Sequence, residues 1–584
     1  MAASNRGGMG AVVFDDGVSF RVWAPNARSV AVAGDFNQWS KDADHLTHEG
    51  GGYWSTFAGF ARVRHRYKFV IDGWIWKNDP YAREVHEEGE QTNSIIAEGW
   101  FEWQSGEFQI APWNELLIYE LHIGTFNAEL GPGTFRTAID KLDHVRDLGF
   151  NAVEIMAAGE FPYDRSWGYN PAYIFAIESS FGGPNAFRAF VDAAHARGIA
   201  VIMDVVYNHF ADKKLDLWQF DGWRIDPEKG GIYFYNDWRS HTPWGESRPD
   251  YGRCEVQQYF RDNAMRWVVQ RGCDGLRWDA TNYIRDVDGN NDNAGTRLDD
   301  GWSMMRWINQ EITWAKPGKI SIAEDMQGNE DVTGEKGGFD AQWDSGFLHP
   351  LREELKKSDD ASRDMGRIRA LIERTYNGDR FRRVIYTESH DEVAFTNGKL
   401  RVPEDIWFGN GTQWAARKRS TLGAALVFTA PGIPMIFQGQ ELLATEQFHD
   451  DRPVRWSQAN WQIAALYRDL ARLRRSLRGL CGQGLHVLPP HDATKVIAFH
   501  RWMQGGDDVL VVLNFSSVAY PSYRIGFPRE GWWHVRFNSD ARAYSDVFGD
   551  FPSGSVFASA PGQDECEFAA EISIGAYTAL IFTQ

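Results

Sequence analysis

Over roughly the first hundred residues, apolar and polar side chains alternate in short runs: VSFRVWAP, SVAVAGDF, YWSTFAG, RYKFVID and SIIAEGW. Alternation with period two is what a half-buried strand needs. Turn residues such as Asp15-Asp16-Gly17 and Asp72-Gly73 separate the runs. The pattern predicts a small β-sandwich over residues 1–105.

From about Leu116 the texture changes to apolar runs alternating with helical periods. LLIYELHIG precedes the helical TFRTAIDKLDHVRDLG, NAVEIMA precedes NAFRAFVDAAHARG, and IAVIMDVVYNHF follows. Gly149 and Gly198 stand at the helix ends, where a left-handed residue is wanted. CDGLRWDA, KISIAED, FDAQWD, RVIYTES and GIPMIFQG continue the series, for eight strand candidates in all. That count and alternation predict an α/β fold, a (β/α)₈ barrel over residues 106–487. A Trp- and Tyr-rich stretch at about 210–255 reads as an insertion over the barrel mouth. KVIAFHRW, DVLVVLNF, WWHVRF and TALIFTQ then predict a second, C-terminal β-sandwich over 488–584.

Charge narrows the partners. The 584 residues carry 61 Lys plus Arg against 80 Asp plus Glu, a net −19. Such an acidic chain is ill suited to nucleic acid or anionic lipid. No apolar run reaches the length of a membrane span, and the N-terminal residues lack the apolar core of a secretory signal. Cys254, Cys273, Cys481 and Cys566 are scattered, without metal-ligand spacing. A cytoplasmic setting is expected. The 26 Trp are mostly core material, though rings also stack on sugar faces. Oligomeric state leaves no mark.

Chemistry concentrates at strand ends. Asp204 (VIMDVVYNH), Asp279 (GLRWDA), Glu324 (ISIAED) and Asp391 (YTESHDE) each close or follow an apolar run. Acids at the C-terminal ends of successive barrel strands build active sites, and a pair of carboxylates is the minimum for cleaving a glycosidic bond. A metal-dependent alternative lacks an HExxH or comparable cluster, and no Gly-rich phosphate loop is present.

Four segments in order, DVVYNH, GLRWDA, IAED and SHDE, resemble the motifs of the third, fourth, fifth and seventh barrel strands in the α-amylase superfamily, glycoside hydrolase family 13. The N-terminal module resembles the carbohydrate-binding module preceding branching and debranching enzymes. The resemblance implies a retaining enzyme cleaving α-1,4-glucosidic bonds, with an α-glucan or malto-oligosaccharide as substrate. It implies Asp279 as nucleophile, Glu324 as acid/base and Asp391 as a binder of sugar hydroxyls. Tyr169, Asp204, His209, Arg277 and His390 are implied as substrate-binding neighbours. Arg277 lies two residues before Asp279 on the same strand face and is expected to lower its pKa; Glu324 is expected to need a raised one.

Bland roles stand beside these. Asp204 also reads as a buried acid tied to Arg277, His122 as either core or site, and Glu392 and Asp325 as supporting acids. Trp39, Trp54, Trp74 and Trp76 read mainly as packing, with a glucan platform as the alternative. No cofactor is expected; calcium at Asn208, as in many amylases, is not favoured. Within the family, SHDE and PDYGRCEVQQYF resemble branching enzymes, while YELHIGTFN and DAQWDSGF resemble malto-oligosyltrehalose trehalohydrolases. Branching is the leading expectation. Hydrolysis of the α-amylase or trehalohydrolase type is the alternative, and a non-catalytic glucan-binding relative the remote one.

Overall fold

All eight predicted barrel strands close into one parallel barrel in the computed structural model, which describes residues 6–88, 91–291 and 293–584. They are β1 (Ile118–Leu121), β2 (Ala152–Ile155), β3 (Ala200–Val205), β4 (Gly275–Trp278), β5 (Ile320–Ala323), β6 (Ala341–Trp343), β7 (Arg383–Ile385) and β8 (Ile433–Phe437). Each pairs with its sequence neighbours, and β1 closes the ring on β8. Every residue of β1–β5 is buried, which explains why these strands read as apolar runs rather than as alternations. Register sets what meets inside. Glu120 on β1 lies beside Glu154 on β2, and Asp204 on β3 beside Arg277 on β4.

Two local details differ from the pattern. The expected helix after β1 is two short ones, Phe135–Ile139 and Leu142–Leu148, the first capped by the Thr134 side chain and the second stopped by Gly149 at φ 101°. The β2–β3 connection holds an unforeseen hairpin, Gly159–Glu160 against Tyr173–Ile177, and the loop between its strands carries Tyr169.

Before the barrel, two antiparallel sheets stack as a sandwich, with Val18, Phe20, Val32 and Phe69 in its core. Trp54 is packed inside, donating to the Ala24 carbonyl at 3.1 Å. Trp39 donates to Asp35. Trp74 and Trp76 are exposed instead. The 210–255 insertion is clamped between sandwich and barrel: Asp221 accepts from Asn26, Asp216 from Asn78, and the Trp218 carbonyl from Lys77. After the barrel, a six-stranded and a two-stranded sheet form the C-terminal unit. It is held to the barrel by the buried Lys418, which donates to Asp540 at 2.7 Å and Thr578 at 3.1 Å. No helix among the described residues is long and apolar enough to cross a membrane.

Candidate active site

Strand β4 supplies the centre. Its alternation sends Leu276 and Trp278 outward into the core, so Arg277 and then Asp279 face the barrel axis. Gly275 must be glycine, because a Cβ there would sit 2.4 Å from Ile320 Cγ2 and 2.7 Å from its carbonyl oxygen. Arg277 is wholly buried, and its guanidinium joins three carboxylates. Nη1 lies 2.6 Å from Asp204 Oδ2 and 3.3 Å from Asp279 Oδ1, while Nη2 lies 2.7 Å from Glu324 Oε2. The Trp343 ring from β6 covers the guanidinium carbon at 4.1 Å. The Ala280 N–H donates to Glu324 Oε2 at 2.9 Å, so the acid after β5 is fastened to the turn after β4.

Asp391 lies six residues past the end of β7, on a short 3₁₀ turn (Asp391–Val393). Its side chain is 41% exposed and contacts Asn397 at 3.3 Å and His390 Nε2 at 3.7 Å. His390 is buried, its Nδ1 bound to Glu120 at 2.5 Å, and its ring stacks on Tyr169 at 4.7 Å. The Tyr169 hydroxyl donates to Asp204 at 2.5 Å. Asp204, Arg277, Asp279, Glu324, Tyr169, His390 and Asp391 thus form one connected cluster at the C-terminal mouth.

His209 is joined to the cluster less directly. It is buried against the Tyr169 backbone, and the Trp244 ring lies flat over it at 4.5 Å and 15°. Burial pushes its imidazole down to about 4, so it is neutral at pH 7. His122 falls outside, bonded to Thr125 and to the Ser166 carbonyl at 3.0 Å each. Burial holds it near 4 as well. Asp325 is a buried partner of Arg285, with two contacts of 2.8 Å. Glu392 pairs with Lys399. Asn208 is wholly buried, and its amide oxygen and nitrogen find no hydrogen-bond partner among the described residues. No group of three acidic, His or Cys ligands gathers around it there.

Electrostatics correct one expectation. Burial pushes the Asp279 carboxyl up, the Glu324 charge adds to that, and Arg277 opposes without prevailing. A guanidinium shared with Asp204 and Glu324 does not hold Asp279 low. Burial also lifts Asp204 to about 6, against Arg277 and Tyr169. His390 goes the other way from an ordinary buried histidine: burial lowers it, but the Asp391 and Glu120 charges outweigh that and raise it to about 9.

Sequence reasoning passed over Glu120 and Glu154, both fully inside the barrel. Glu120 anchors His390. Glu154 has neither carboxyl oxygen hydrogen-bonded among the described residues, and burial, with the Glu120 charge beside it, pushes its carboxyl well up. The available signal was a lone carboxylate inside an apolar run, in LLIYELHIG and NAVEIMA.

Comparison with known proteins agrees with this geometry. Residues 8–82 match carbohydrate-binding module 48 (isoamylase N-terminal domain), 124–218 the alpha amylase catalytic domain, and 489–584 the alpha amylase C-terminal all-beta domain. The 1,4-alpha-glucan branching enzyme GlgB of Rhodopseudomonas palustris (strain CGA009) is 33% identical over 90% of this chain and 76% of its own length. GlgB of Corynebacterium jeikeium (strain K411) is 30% identical over 98% and 83%. The chain belongs to the α-amylase family of glycoside hydrolases. Among solved structures, a pullulanase from Anoxybacillus sp. LM18-11, complexed with maltotetraose, shares the fold at TM-score 0.76 and 19% identity, over 100% of this chain and 88% of its own. In α-amylase family terms, the cluster gathers the side chains of all four strand motifs around Arg277 and His390.

Proposed function

We propose that this chain is a 1,4-α-glucan branching enzyme: it cuts an α-1,4 bond and passes the released chain to a glucan 6-hydroxyl. The supporting observation for the bond cleavage is the single guanidinium touching both Asp279 and Glu324, which puts the two acids within reach of one scissile bond. Retaining cleavage uses carboxyl groups roughly 5–5.5 Å apart, one ionised and one protonated. Asp279 takes the ionised role and Glu324 the protonated one.

In the first step Glu324 gives its proton to the leaving oxygen while Asp279 attacks the anomeric carbon. The C1–O bond breaks and a C1–Oδ ester forms. In the second step Glu324, now ionised, takes the proton of the incoming 6-hydroxyl, whose oxygen displaces Asp279. Charge develops on the sugar in both transition states. Asp391, exposed beside the cationic His390, is placed to hold sugar hydroxyls as the ring distorts. Tyr169, stacked on His390, offers a ring face to the same sugar. Asp204 and Arg277 hold the frame rigid, so little reorganisation is needed.

Transfer rather than hydrolysis is supported by relatives of that name spanning all three units. Incubation with amylose followed by proton NMR tests it. New α-1,6 anomeric signals are the expected result. Reducing ends without α-1,6 linkages would make it a hydrolase, and free trehalose from a trehalose-ended malto-oligosaccharide a trehalohydrolase.

A further inference from the structure

We propose that Trp244 is the acceptor platform of this site, and that Arg248 is the positioning residue that holds it over the barrel mouth. The inference rests on the branching reading. Trp244 sits at the tip of a tight turn in the insertion. Thr242 and Gly245 exchange backbone hydrogen bonds at 2.7 and 3.2 Å, and Thr242 Oγ1 accepts from the Trp244 N–H. Gly245 has φ +133°, which favours glycine there.

The ring is neither core nor free surface. One face covers His209, the Tyr283 ring stands at 77° to it with centroids 5.1 Å apart, and 45% of the residue remains exposed. His209 belongs to the segment after Asp204, and Tyr283 to the segment after Asp279. Trp244 therefore bridges the two loops that flank the nucleophile. An aromatic ring with its rear face backed and part of its surface open is built to stack a pyranose.

Arg248 explains how a long irregular loop keeps this ring in place. It is wholly buried, and its guanidinium donates to carbonyls rather than to an acid. Nε reaches Arg239 at 2.7 Å; Nη2 reaches His241 at 2.6 Å and Val287 at 2.8 Å; Nη1 contacts the Tyr283 carbonyl. Two of these carbonyls lie on the insertion and two on the segment after β4. One side chain thus stitches the flap to the strand end that carries Asp279, at the expense of burying a charge with no counter-ion in contact among the described residues.

Once the glycosyl–Asp279 ester has formed, water and a glucan 6-hydroxyl compete for C1. Either forms a new C1–O bond, breaks C1–Oδ and yields its proton to Glu324. A platform that holds the acceptor chain raises its effective concentration and shifts the ratio toward transfer.

The test is the ratio of new α-1,6 linkages to new reducing ends on amylose, measured for the full-length wild type, Trp244→Ala, Trp244→Phe and Arg248→Met. Trp244→Ala is expected to lower the ratio roughly tenfold and raise the KM for added acceptor oligosaccharide, while Trp244→Phe keeps it within about threefold. Arg248→Met is expected to lower the ratio as Trp244→Ala does. A wild type without α-1,6 product sinks the branching reading. A branching wild type whose ratio survives Trp244→Ala, or falls equally in Trp244→Phe, overturns the platform alone.

Discussion

Arg277 Nη2 stands 2.7 Å from Glu324 Oε2, while Nη1 of the same buried group serves Asp204 and Asp279. A lysine ammonium cannot span three acids in one plane. Arg277→Lys should therefore reduce kcat on amylose by about 10²–10³-fold. Arg277→Met leaves three buried acids without a cation and should cost about 3–5 kcal/mol of stability as well. Urea unfolding beside initial rates reads both effects.

His390 and Glu120 give a pH signature. The imidazolium is held up to about 9 in the folded chain, above its ordinary 6.5. A raised value means that its contribution to stability is complete below about 6.5 and is lost as pH rises through about 9. Both thermal stability and kcat should fall on that alkaline side. Glu120→Gln removes one of the two charges that raise it, so the alkaline limb of the rate profile should move to lower pH by roughly one unit. An unmoved limb would mean that His390 does not set it.

Neighbouring acids Glu324 and Asp325 should separate cleanly. Glu324 touches Arg277 and the Ala280 N–H in the cluster, and Asp325 is locked to Arg285 behind it. Glu324→Gln should lower turnover of malto-oligosaccharide by at least about 10³-fold with the melting temperature nearly unchanged. Asp325→Asn should cost about 3 kcal/mol of stability, because it strands a buried guanidinium, with a smaller kinetic loss. Calorimetry and initial rates on both variants decide it.

The barrel and its acids were legible for a physical reason. Parallel strands covered on both faces must be continuous apolar runs, so a carboxylate closing such a run, as in GLRWDA or ISIAED, stands out. What sits inside the run is harder to see. Glu120 and Glu154 look like the polar half of an alternation until the barrel shows that they have no solvent side. The upward shift of Asp279 was illegible as well. Arg277 two residues before Asp279 suggests a lowered acid, and only the third dimension brings Glu324 and Asp204 to the same guanidinium. Trp244 stood in plain view as one of many aromatics in the insertion. Its stacking on His209 depends on Arg248 pinning the loop, which no spacing encodes.

Lys418 gives the joint between barrel and C-terminal unit a handle. Its buried ammonium donates to Asp540, which also accepts from the Gly549 and Phe551 N–H groups. Lys418→Ala should cost about 3 kcal/mol, since Asp540 would stay buried without its cation. Thermal unfolding of the variant should begin at lower temperature, while an unchanged melting curve would mean that the pair is not what holds the units together.

The central claim is that Asp279 forms the covalent bond to the sugar. A fluorinated glucosyl fluoride carries a leaving group that needs no acid, so Glu324→Gln should form the ester and then stall. Peptide mass spectrometry after pepsin digestion of that mixture is the direct measurement. A fluoroglucosyl adduct on the peptide containing Asp279, absent in Asp279→Asn, is the predicted result. An adduct on another acid, or none while the wild type turns the reagent over, would contradict the account.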